Sequence, residues 1–171
     1  LKVLNAFHAT EKNHEPFHKI EQEIVLVDEL DFRSLFHKIK NSDVSITLLV
    51  QSLTHSISIV YNKYLGLYGT NHDSLTYILN PEHLEWFIHK SFINDNVLFF
   101  DFITNKDKKI DSKNSFIEQN LIEYLKSVTS LNLLDNSLNL AMLHNKPEII
   151  TAVIKRIRYL ISNRFITEKE A

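Results

Sequence analysis

Glycine scarcity is the tightest constraint on this chain: 171 residues contain two glycines, Gly66 and Gly69. The prolines number three, Pro16, Pro81 and Pro147. A fold made of many short strands turns often, and tight turns draw on these two residue types. Their shortage predicts helices. It also excludes chemistry. A phosphate-binding loop sets two glycines five residues apart before a lysine, a dinucleotide fingerprint needs three glycines, and a nucleophile elbow needs a serine between two. Gly66-Leu67-Tyr68-Gly69 meets none of these.

Other function classes fall to composition. The apolar fraction of 44% and charged fraction of 23% are those of an ordinary globular chain. A net charge of −2 gives no general attraction to nucleic acid, so none is expected as a partner. The chain has no cysteine, which removes thiol catalysis, thiolate metal ligation and disulfides from these residues. No apolar run reaches the ~18 residues of a membrane span. The sequence starts at Leu1 without a signal peptide and reads as a fragment of something longer.

Apolar spacing supports an all-α reading. Phe17, Ile20, Ile24 and Val27 step by three and four, which predicts a helix from Pro16 to Val27; the β-branched run Ile24–Val27 is the alternative, as a short strand. Leu30 to Lys40 continues as a second helix. Ile46, Leu49, Leu53, Ile57, Val60 and Tyr64 form one stripe, which predicts the longest helix over Asp43–Leu65, with His55 beside that stripe as an ordinary satisfied side chain. Gly66 to Asn71 ends it. Short and longer helices follow at Ser74–Leu79 and Pro81–Phe92. Val97 to Ile103 is apolar nearly all round and reads as a central helix, Asn105–Asn114 as a charged loop, and Ser115–Val128 as a further helix. His14-Glu15-Pro16-Phe17-His18 matches a zinc-protease pattern by letter, but Pro16 interrupts the helical turn that must carry both histidines, so no metal is assigned.

The stretch from Asp135 to Ile157 is the most informative. Leu138, Ala141 and Met142 mark a first helix, Asn145-Lys146 a break, and Pro147 the start of a second helix with Ile149, Ile150, Val153, Ile154 and Ile157 on its apolar face. This hairpin resembles one repeat of the ankyrin family. Asn136-Ser137-Leu138-Asn139 stands where that family has Thr-Pro-Leu-His, Ala141 matches its small residue, and Asn145 replaces the glycine that ends the first helix. Pro81 and Pro147 are spaced by twice the ankyrin period of about 33 residues, and both precede Glu. The expected architecture is therefore a helical N-terminal region over 1–70, about three degenerate ankyrin-like hairpins over 71–166, and a disordered tail over 167–171.

The resemblance implies a protein-binding module that works through its turns and first helices, where Asn139 lies. Trp86, the single tryptophan, with His83 and His89 around it, is the expected partner anchor. AT-rich composition suggests a cytoplasmic protein, delivered into a host cell as an effector of an intracellular microbe. Lys155, Arg156 and Arg158 carry the alternative, an anionic-lipid or membrane-targeting module. No nucleophile, base and orienting group converge by motif, so no catalytic residue and no cofactor are expected, and an enzyme ranks third.

Overall fold

Strict alternation decides the fold. Ile46, Leu48 and Val50 are buried while Thr47, Leu49 and Gln51 are half-buried, and Ile57, Ile59 and Tyr61 repeat the pattern on the next segment. That is the period of an extended chain with one face in a core. The computed structural model describes residues 17–105 and 115–163, and it places these segments in a six-stranded antiparallel sheet. The strands are β1 (His18–Leu26), β2 (Ile46–Gln51), β3 (Ser56–Asn62), β4 (Gly66–Asn71), β5 (Ser74–Tyr77) and β6 (Val97–Thr104), in the order β1-β6-β2-β3-β4-β5. The helices are α1 (Phe32–Lys40), α2 (Pro81–Ser91), α3 (Leu121–Leu125), α4 (Leu131–Leu143) and α5 (Pro147–Ser162).

The all-α expectation is thereby corrected to a mixed fold of helices on both faces of a sheet. Four predicted helices are extended instead. Within Pro16–Val27, His18–Leu26 forms β1; Asp43–Leu65 becomes the β2–β3 hairpin, Ser74–Leu79 becomes β5 with its exit, and the central helix becomes β6. Strands from both sides of the expected boundary at residues 70–71 share the sheet, so the described residues form no array of three helical hairpins. The turns form without many glycines because other side chains do the work. Asn62 Oδ1 accepts from the backbone N–H groups of Tyr64 and Leu65, and His72 takes a left-handed φ of 54° in the β4–β5 turn.

The two core layers explain the helices that the spacing does predict. On one face α1 and α2 place Leu35, Phe36, Ile39, Leu84, Phe87 and Ile88 against Val25, Leu48, Val50, Ile59, Leu98, Phe100 and Phe102. On the other, α3, α4 and α5 place Leu125, Leu134, Leu140, Val153 and Leu160 against Ile24, Leu26, Val97 and Phe99. β6 feeds both layers, which is why Val97-Leu98-Phe99-Phe100 carries no alternation. The α4–α5 hairpin overlaps the one expected over Asp135–Ile157, but α4 starts at Leu131, so Asp135, Asn136 and Ser137 lie inside the helix and not in a turn ahead of it. Ala141 is fully buried in it, and Asn145 turns the chain at φ 53°. Helix caps follow local chemistry: Asp31, Asn80, Asn120 and Ser130 each accept from a backbone N–H three residues on. No helix among the described residues is long and apolar enough to cross a membrane. His14, Glu15 and Pro16 of the zinc-like run, most of the charged loop and the 167–171 tail lie outside the described residues.

Candidate functional site

The sheet brings two turns and one helix end together. Ser58 on β3 faces Thr70 on β4. The chain entering β3 and the chain leaving β4 therefore lie side by side, with His55 just before β3 and Asn71 as the last residue of β4. A serine turn fixes the backbone at His55: the buried Ser52 accepts through Oγ from the N–H of Thr54 (3.3 Å) and of His55 (3.1 Å), and its own N–H donates to the His55 carbonyl at 2.8 Å. The C-terminal end of α2 supplies Ser91 and Phe92.

A chain of hydrogen bonds runs through these elements, and its direction can be read from its far end. The Ser91 hydroxyl donates to the Phe87 carbonyl at 2.7 Å, a bond within one helical turn. Its single proton is thus used, and Ser91 Oγ can only accept from Asn71 Nδ2, at 3.3 Å. That fixes the Asn71 amide with Oδ1 toward the His55 ring, 2.9 Å from Nε2. An amide oxygen cannot donate, so Nε2 carries a proton, and in the neutral form of the ring the lone pair is then on Nδ1. Among the described residues, the His55 ring makes its hydrogen bond through Nε2 and none through Nδ1. The buried Phe92 ring packs against the imidazole with centroids 5.4 Å apart, and the exposed His72 ring lies at 5.0 Å. An imidazole with Nε2–H tied to an oriented amide oxygen and Nδ1 turned away from that bond has the arrangement a general base uses.

The residues singled out by sequence lie elsewhere and do not form one site. Trp86, His83 and His89 are on α2. Trp86 is half exposed, 5.4 Å from the His83 ring by centroid, with the Lys90 ammonium 4.6 Å from its own. His89 pairs with Glu85 at 3.8 Å and lies against Phe32. Asn139 is half-buried on α4, across the sheet. Of the basic cluster, Lys155 and Arg156 line one groove together, whereas Arg158 is exposed and does not contribute to it. Ile154, expected inside, is partly exposed.

Sequence reasoning overlooked the His55–Asn71 pair because it reads His55 as a helical residue. The available signal is the alternating Ser56-Ile57-Ser58-Ile59 directly after His55, together with the polar Asn71-His72-Asp73-Ser74 a strand's length beyond the next turn. Pairing those two strands puts His55 beside Asn71. Among the described residues no group of three or more histidines or carboxylates could hold a metal ion. No protein-family model, no curated protein and no solved structure matches this chain.

Proposed function

We propose that this chain carries the acid–base half of a group-transfer site, with His55 as the proton-transfer residue and Asn71 as the residue that orients it. The observation that supports this reading is the one-way hydrogen-bond chain from the Phe87 carbonyl to His55, which engages Nε2 and not Nδ1. In acyl transfer, Nδ1 accepts the proton of an attacking O–H or S–H while the new bond to the acyl carbon forms. It then returns that proton to the leaving group as the old bond breaks. The chain has no cysteine, and no hydroxyl among the described residues bonds to Nδ1. The nucleophile is therefore water, or a group that another segment brings to the site.

Hydrolysis of fluorogenic ester and peptide substrates tests the proposal, together with 15N NMR of the His55 ring. The expected results are an Nε2–H tautomer, a loss of about 10²–10⁴-fold on His55→Ala, and a smaller loss on Asn71→Ala. An Nδ1–H tautomer, or equal turnover by wild type and His55→Ala, would overturn it. Trp86→Ala is the control that carries the protein-binding reading, whose support is the exposed indole on α2. On that reading the variant loses partner capture and keeps hydrolysis; unchanged capture removes the reading, and with it the role as a host-directed effector.

A further inference from the structure

A groove of about 640 Å³ runs between α3 and α5, well within the ~300–1,000 Å³ usual for small-molecule sites. One wall is a single stripe of α5: Glu148, Thr151, Ala152, Lys155, Arg156 and Tyr159, at helical spacing. Ile122 and Lys126 of the α3 segment form the other. From Glu148 to Arg156 the stripe covers about 12 Å of helix axis at 1.5 Å per residue, the reach of a medium-length acyl tail.

Charged and apolar side chains share the lining, with Ile122, Ala152 and the half-exposed Tyr159 ring supplying apolar surface. Three cations overlook it against one carboxylate, Glu148. Lys126 is partly engaged by Glu123 at 2.9 Å, outside the groove. Arg156 is different, because it is already held in place. Its Nε donates to the Val128 carbonyl at 2.7 Å, and its guanidinium carbon lies 4.7 Å from the Tyr159 ring centroid. Fixing the guanidinium beforehand lowers the entropy lost on binding an anion, and its terminal N–H groups suit a carboxylate or phosphate bidentately.

We infer that this groove binds a soluble single-chain anionic amphiphile, its tail along Ile122 and Ala152 and its head group on Arg156 and Lys155. The groove is distinct from the His55 site, and the inference does not depend on catalysis. Decanoate below its micelle concentration is the probe, followed by calorimetry and by chemical shifts of the α5 amides. Decyltrimethylammonium and decyl maltoside supply the cationic and neutral controls. Decanoate is expected to bind in preference to both. Arg156→Gln should weaken it about tenfold or more, and Lys155→Gln should do so less. Ala152→Phe should block the groove, with cooperative unfolding as the check on folding; if that variant fails to fold, the two charge variants decide. Equal binding of all three amphiphiles, or unchanged decanoate affinity in Arg156→Gln, overturns the inference. So does an inert decanoate with binding only to anionic vesicles or to an acidic amphipathic peptide.

Discussion

A methyl group at position 69 has no room. An ideal Cβ built on Gly69 would lie 2.4 Å from a ring carbon of Phe87, which is buried against the sheet at that point. Gly69→Ala is therefore expected to cost about 1–3 kcal/mol by overpacking, measured by urea denaturation. Phe87→Leu in the same chain should recover part of the loss, since the two sites share one contact. A neutral Gly69→Ala would mean that the ring moves freely. Gly66 serves a different need: its φ is +86°, with open space around the missing side chain. The two glycines thus stand at a turn and at a close approach, both of which a sheet requires. Counting them suggests helices because a count carries no position, and because His72 and Ser52 make other turns while Asn62 shares the one at Gly66. The same blindness hid the base. His55 and Asn71 are remote in sequence, and only the β3–β4 register makes them neighbours.

At the level of elements, legibility tracked burial. α1, α2, α4 and α5 each bury one stripe and leave another wet, and their spacing is readable. β6 is buried on both faces, so its apolar run fits a buried helix equally well. The β2–β3 hairpin satisfies two periods at once, and the helical stripe through Ile46, Leu49 and Leu53 competed with the true alternation through Ile46, Leu48 and Val50. The α4–α5 hairpin docks on the sheet partly through His144, whose ring stacks on Phe99 at 3.5 Å with planes 6° apart. Burial lowers its proton affinity below that of a free imidazole, Asp101 opposes this, and Lys146 and Lys19 add to it. The unfolded chain takes up this proton near pH ~6.5, the folded chain only at lower pH. Between those values the unfolded state binds more protons, so this contribution to stability is complete above the unfolded value and declines as the pH falls through the window. His144→Phe keeps a stacked ring and cannot titrate. Its urea midpoint should fall less than that of wild type between about pH 7 and pH 5; parallel curves would assign the acid sensitivity to other groups.

For the whole molecule, strand order matters more than any single contact. β2, β3, β4 and β5 form a meander in which each strand pairs with the next, whereas β6, the last strand, sits between β1 and β2. Val25 lies opposite Leu98, and Leu49 opposite Asp101. Local pairs close with little loss of chain entropy and distant ones only after a large loop is drawn in. Pulse-labelled hydrogen exchange during refolding is expected to show amides of β2, β3 and β4 protected before those of β1. Simultaneous protection would mean that the sheet forms in one step.

The position of β6 also sets a schedule for the nascent chain. β1 leaves the ribosome with Ile24, Val25, Leu26 and Val27 in an unbroken apolar run, and its pairing partner has yet to be made. At ~5–20 residues per second, the separation between Val25 and Leu98 leaves that segment waiting for roughly 4–15 s. Throughout that interval β1 is a sticky strand with free edges. The early life of this segment is thus a race between translation of β6 and capture of β1, by a chaperone or by another copy of the chain.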